Sequence, residues 1–185
     1  MADQLPFDDL FAEQFVDANN YYRRKHGVPD LTLNLDLCLQ AKKWADFLAN
    51  ERHLIYREKP GSDIGENITF FPRSLSPRDI CDYWYKEGNA YEYETPGWQS
   101  GTNYFTQIVW KDTKEIGIGT STLPPVFHKN SKTGEVLADS LNDYQVVVAF
   151  FRPSGNNNHA GEFALNVVPP LQNELKNNQI NNVIQ

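Results

Sequence analysis

Cysteine is nearly absent: Cys38 and Cys81 are the only two in 185 residues. A small scaffold held together by bridges needs more, so a disulfide framework is excluded. Both cysteines sit in apolar periodic segments, where reduced core thiols are the default. A single long-range bridge between them is the alternative. Histidine is scarce too. His26, His53, His128 and His159 are widely spaced, and nothing in that spacing builds a transition-metal site, which wants imidazole or thiolate ligands. The sequence holds no HExxH, no CxxC, no phosphate loop and no serine elbow. The loop serines Ser62, Ser100 and Ser154 have no ordered histidine and acid around them, so serine hydrolysis is not expected.

Positive charge is also in deficit, with 17 Lys and Arg against 24 Asp and Glu and a net charge of -7. Nucleic acid and anionic membranes select basic surfaces, so no nucleic-acid partner is expected. The basic runs Arg23-Arg24-Lys25-His26 and Lys42-Lys43 read as solvated helix ends. No apolar run is long enough to span a bilayer. The first residues have neither a positive n-region nor an apolar h-region, and Ala2 stands where a myristoylation signal needs glycine. The expected location is cytoplasmic, with peripheral association with internal membranes as its extension. The form of a glycosylation sequon at Asn67-Ile68-Thr69 then carries no weight.

What the chain does have is aromatic bulk: 11 Phe, 9 Tyr and 4 Trp, enough to fill the core of one domain. Phe11, Phe15, Ala18 and Tyr22 share one helical face, with Asp8 placed to cap it and Gly27 to end it. A second helix after Asn34 aligns Cys38, Ala41, Ala45 and Leu48. Ser76-Pro77-Arg78-Asp79 is a helix start with capping-box chemistry, leading into a face of Ile80, Trp84 and Glu87. A glutamate on that face either lines a cleft or reaches round to water. Residues 65–71 fit a strand or a helix start, and Phe105 to Trp110 a buried strand or a short helix. Ile116, Ile118 and Thr120 alternate with glycines as a strand does, and Tyr144 to Phe151 reads as a central buried strand. Residues 123–142 form a polar, turn-rich stretch with Lys132-Thr133-Gly134-Glu135 at its tip. The pattern predicts one layered α/β domain over 5–170, followed by an Asn-rich tail over 171–185 with a short helix from Leu171 to Lys176 as an option.

Several blocks, in order, carry a likeness: Asn20-Tyr21-Tyr22-Arg23-Arg24-Lys25-His26-Gly27, Gly65-Glu66-Asn67-Ile68, Tyr83-Trp84-Tyr85, the run from Gly101 to Trp110, Phe151-Arg152-Pro153-Ser154-Gly155-Asn156, and Asn166-Val167-Val168-Pro169-Pro170. Together they resemble the CAP superfamily, the cysteine-rich secretory, antigen 5 and pathogenesis-related 1 proteins. The likeness is greatest to its cysteine-poor branch, typified by the Golgi-associated plant pathogenesis-related protein. The resemblance implies a three-layer α-β-α sandwich with a surface cleft. Most members line that cleft with two histidines and two glutamates, and some bind a divalent ion there.

Residue by residue, Glu66 and Glu87 match the two glutamates. Tyr104 stands where one histidine precedes Phe105-Thr106-Gln107, and Tyr56, after a one-residue shift, where the other should lie. His53 is a candidate substitute ligand. A phenol is protonated near neutral pH and is a poor zinc ligand, so no metal and no cofactor is expected. The expected cluster instead pairs Tyr56 and Tyr104 with Glu66 and Glu87 by hydrogen bonds. The leading functional expectation is a non-enzymatic module that binds a lipid or a protein partner, with Tyr91, Tyr93 and Trp98 as anchors near the cleft. The alternatives are a weak hydrolase using Glu66 and Glu87 and a structural homo-oligomer, a homodimer in the simplest case.

Overall fold

A computed structural model describes residues 8–57 and 62–171. Helix α1 (Asp9–Lys25) is capped by the Asp8 side chain, which accepts from the Phe11 amide. Strand β1 (Thr32–Leu33) leads into helix α2 (Leu35–Glu51), capped by Asn34. Strand β2 (Gly65–Pro72) settles the first open choice as a strand. Helix α3 (Pro77–Tyr85) carries the full capping box, with Ser76 and Asp79 bonding each other's backbone amides. A 3-10 turn over Lys86–Ala90 follows. Helix α4 (Asn103–Val109) settles the second choice as a short helix. Strand β3 (Glu115–Thr122), the small strands β4 (Phe127–Lys129) and β5 (Val136–Ala138), strand β6 (Tyr144–Arg152) and helix α5 (Glu162–Asn166) complete the described chain.

The main sheet has the order β1-β3-β6-β2, with β1 parallel to β3 and the other pairs antiparallel. Strand β6 is interior, as its unbroken apolar run requires: Val146 through Phe151 are all fully buried. Its alternating side chains feed two cores. Val146, Val148 and Phe150 pack with Leu37, Ala41, Ala45 and Leu48 of α2 on one face. Val147, Ala149 and Phe151 pack with Phe15, Trp84, Phe105 and Ile108 from α1, α3 and α4 on the other. The three-layer α-β-α sandwich is therefore present. Helix α2 lies close to β3 because two glycines permit it. A Cβ on Gly117 or Gly119 would meet the α2 backbone at 2.4 and 2.1 Å.

Several expectations change. Glu87 is not on α3; it lies in the 3-10 turn beyond it. The run Arg23-Arg24-Lys25-His26 is not a solvated basic end, since Arg23 is 0% and His26 2% exposed. Arg24 alone of the run's arginines faces water, paired with Asp30. Residues 123–142 fold as the hairpin β4–β5, tied to the end of α2 by Arg52, which bonds the Pro124 carbonyl and Asp139. Cys38 and Cys81 are buried free thiols. Leu171 is held by its amide to the Lys25 carbonyl at 2.8 Å; the rest of the expected tail, and the optional helix over it, lie outside the described residues.

Candidate functional site

The site assembles around the amino end of α4. The turn after α3 swings Glu87 across it, and Glu87 Oε2 accepts from the Tyr104 amide at 2.8 Å and the Phe105 amide at 3.2 Å. Gly88 makes this approach feasible, since a Cβ there would press to 2.7 Å on the Phe105 ring. Helix α4 is fastened to the edge strand β2 in two places. Asn67 Nδ2 donates to the Tyr104 carbonyl at 3.2 Å, and the Tyr104 hydroxyl donates to the Ile68 carbonyl at 2.7 Å. The same glycine economy brings the motif blocks together elsewhere. A Cβ on Gly65 would meet the buried Gln107 amide at 2.0 Å, and Gln107 Oε1 accepts from the Gly155 amide at 2.9 Å.

Tyr56, on the loop after α2, sets its hydroxyl 2.9 Å from that of Tyr104. Tyr104 spends its proton on Ile68, so the proton shared between the phenols belongs to Tyr56. The result is a directional chain, Tyr56 to Tyr104 to the Ile68 carbonyl. This corrects the expected phenol–carboxylate pairing, because both carboxylates have other partners. Glu66 Oε1 accepts from Arg57 Nε at 2.6 Å, and Oε2 from the Arg57 amide at 3.1 Å. That ion pair is largely dry, with the two side chains 10% and 9% exposed. The guanidinium also lies 3.7 Å above the centre of the Phe150 ring. Arg57 was invisible to sequence reasoning: a single arginine in a loop without period carries no signal for a partner nine positions away.

Tyr56, Glu66, Glu87 and Tyr104 all line one cleft of about 470 Å³, together with Trp98, Asn103, Asn156 and Asn158. His53 is exposed and is not among them. Of the three expected anchors only Trp98 stands out to solvent, at 56%; Tyr91 is buried against Tyr93 and Phe105. No residue of the β4–β5 hairpin lines the cleft, so it does not cover the site. Asn156, with a left-handed φ of 59°, had only its place in a motif to recommend it. It links the loop after β6 to α4 by accepting from Thr106 Oγ1 at 2.6 Å and donating to the Asn103 carbonyl at 2.9 Å.

Burial raises the pKa of Glu87, and the two backbone amides only partly oppose this. Burial, reinforced by the bond to Tyr104, likewise raises Tyr56, so this phenol holds its proton at neutral pH. The donor set does not fit a divalent transition ion. It offers no imidazole and a protonated phenol, one carboxylate is locked to a guanidinium, and one oxygen of the other is occupied by backbone amides. Among the described residues no group of three or more His, Cys, Asp or Glu is placed to hold a metal.

Comparison with known proteins gives a consistent picture. The model of the cysteine-rich secretory protein family, CAP, matches residues 16–128. The human Golgi-associated plant pathogenesis-related protein 1 is 34% identical over 161 residues, which is 86% of this chain and 94% of that protein. Protein PRY2 of Saccharomyces cerevisiae is 30% identical over 86% of this chain, but the match spans 41% of its own length. Among solved structures, venom allergen-like protein 4 of Schistosoma mansoni superposes with a TM-score of 0.55 at 17% identity, covering 78% of this chain and 88% of that one. That last likeness concerns the fold alone.

Proposed function

The chain belongs to the cysteine-rich secretory protein (CAP) family, and from that premise we propose that it is a non-enzymatic binding module whose altered cleft holds a polar ligand by hydrogen bonds, without a metal. The observation that carries this reading is the hydroxyl chain from Tyr56 through Tyr104 to the Ile68 carbonyl, in the place where relatives are expected to present imidazoles. Beside it, the Arg57–Glu66 pair removes one carboxylate from acid–base work. The ligand is a small polar molecule, the head of a lipid, or a polar segment of a protein partner. The lining is largely amide, hydroxyl and carboxylate, which suits such a group better than an acyl chain.

Zinc titration by calorimetry tests the reading. The protein is expected to give no one-to-one zinc isotherm. Tight stoichiometric binding that is abolished in Glu66→Gln and Glu87→Gln would overturn it.

One observation favours a second reading. Glu87 is a half-buried carboxyl with a raised pKa in a polar cleft, the kind of group that serves as a general acid. Hydrolysis of an ester or glycoside panel that disappears in Glu87→Gln would establish it.

A homodimer, and a setting in the cytoplasm or at an internal membrane, belong to the same proposal. The setting at an internal membrane is supported by the Golgi association in the human relative's name. No described helix is long and apolar enough to cross a membrane, so attachment by such a helix is not part of it. Native mass spectrometry reads oligomeric state and any co-purified ligand together.

A further inference from the structure

We infer that the ligand of this cleft is a neutral saccharide, its ring laid on Trp98 and its hydroxyls bonded to Asn103, Asn158 and Glu87. This rests on the metal-free binding reading above and names the ligand's chemistry.

The first support is Trp98. It is 56% exposed, lines the cleft, and makes no hydrogen bond or ring contact with any described residue. Its loop is nonetheless firmly built. The Gln99 side chain accepts from the Glu92 amide at 2.8 Å and donates to the Glu92 and Thr95 carbonyls at 2.9 and 3.1 Å. Thr102 Oγ1 donates to the Gln99 carbonyl at 2.8 Å, and the Gly97 amide donates to the hydroxyl of buried Tyr91 at 3.4 Å. The indole is therefore presented by a tethered scaffold instead of collapsing onto the core. A bare ring face in an otherwise polar cleft calls for a ligand with one apolar face and a polar rim. The C–H face and hydroxyl edge of a pyranose have that form.

The second support is the inventory of unused polar atoms. The amides of Asn103 and Asn158 make no hydrogen bond with the described protein, and neither does Glu87 Oε1. Each amide offers a donor and an acceptor side by side, which matches a pair of neighbouring hydroxyls. Asn156 is different: its amide is spent on α4, so it shapes the wall.

Charge narrows the class. The protein carries -7, and Arg57 is ion-paired with Glu66 and does not line the cleft, so an anionic ligand gains little. A caged quaternary ammonium needs several ring faces closing round it. Here the Tyr104 ring is packed on Trp84 at 5.5 Å, and the two phenols turn their hydroxyls toward each other. The volume of about 470 Å³ accepts a short oligosaccharide.

The test uses the full chain in EDTA, with calorimetry and saturation-transfer NMR against chitotriose, cellotriose, maltotriose and mannotriose. An acidic trisaccharide and phosphocholine serve as comparators. At least one neutral trisaccharide is expected to bind, with transfer strongest to the protons of one ring face. Trp98→Ala is expected to weaken it about tenfold or more, and Trp98→Phe about threefold or less. Asn103→Ala and Asn158→Ala are expected to weaken it severalfold, all with unchanged thermal midpoints. No neutral trisaccharide binding at about 10 mM, binding of phosphocholine or the acidic sugar alone, or binding indifferent to Trp98→Ala would overturn the inference. Sugar binding that appears only when a divalent ion is restored would instead overturn the metal-free reading. Silence toward both sugar and zinc leaves that reading standing and removes the saccharide.

Discussion

At its amino end α4 meets a carboxylate, Glu87, which takes the amides of Tyr104 and Phe105. Toward its carboxyl end it meets a guanidinium, Arg23, which takes the carbonyls of Ile108 and Trp110, both at 2.8 Å. Both charges complement the helix dipole. They differ in what is left over. Arg23 is fully buried and satisfies all its donors on carbonyls, adding those of Pro29, Lys111 and Thr113. Glu87 uses one oxygen and turns the other toward an open cleft. The fold thus completes one end of the helix as structure and leaves a carboxylate oxygen without a protein partner at the other.

The largest effect should come from the finished end. Arg23→Ala removes five donations inside a dry interior, and leaving those carbonyls unpaired is expected to cost about 3–5 kcal/mol. The thermal midpoint should fall by about 10 °C. Arg23→Lys should recover part of this, since three donors replace five. A loss in Arg23→Ala below about 1 kcal/mol in urea unfolding would mean that water replaces the guanidinium, and the contrast between the ends would fail.

The next test sets the two ends against each other in pH. His26 packs in the finished region, with Nδ1 2.6 Å from the Val168 carbonyl and Nε2 2.8 Å from the Tyr85 hydroxyl. Burial lowers its pKa below the ordinary 6.5. The unfolded chain therefore takes up the proton first, and His26's contribution, present above 6.5, is lost as pH falls through the folded value. Glu87 has the opposite sign. Its pKa is raised above 4.5, so its contribution is full below that value and declines as pH rises through the folded one. Unfolding free energies measured across pH 4 to 7.5 should show His26→Gln flattening the acid-side loss and Glu87→Gln flattening the alkaline-side decline. Parallel slopes in both variants would contradict these environments.

How much of this could be read in advance depends on the range of the interaction. The capping box at Ser76 and Asp79, the caps at Asp8 and Asn34, and the β6 run are set by neighbours a few residues apart, and the chain displays them directly. Motif order named Tyr56, Glu66, Glu87 and Tyr104, which lie along one cleft, but gave no sign of Asn103 or Asn158 beside them. The bonding within the cleft was not legible. Arg23 and His26 read as surface because four basic positions in a row look solvated; their burial depends on carbonyls roughly 85 to 140 positions away. The phenols were expected to bond the carboxylates. Arg57 and the α4 amides claim those first, for they lie beside Glu66 and Glu87 once β2 and the 3-10 turn are in place.

The hydroxyl chain gives a smaller and sharper test. Tyr104→Phe strips the Ile68 carbonyl of its donor and Tyr56 of its acceptor, with an expected cost of about 1 kcal/mol. Tyr56→Phe should cost a few tenths of that, roughly 0.3 kcal/mol, because its ring is half exposed and water can take its place on Tyr104. In the double variant the costs should fall short of their sum by up to about 0.3 kcal/mol, the coupling of one shared hydrogen bond. Strict additivity would show that the 2.9 Å contact carries no energy.

The smallest expected effect on the cleft, none, lies at the β4–β5 hairpin. Arg52→Ala frees the β4–β5 hairpin from the end of α2 by cutting its bonds to Asp139 and the Pro124 carbonyl. The Arg52–Asp139 pair is partly exposed, and such pairs contribute about 0.2–1 kcal/mol. Because no hairpin residue lines the cleft, ligand affinity and the pH behaviour of Glu87 should not move. A change in either would show that the hairpin and the unfinished end of α4 are coupled through α2 and the sheet, and the site would then extend beyond the residues that line it.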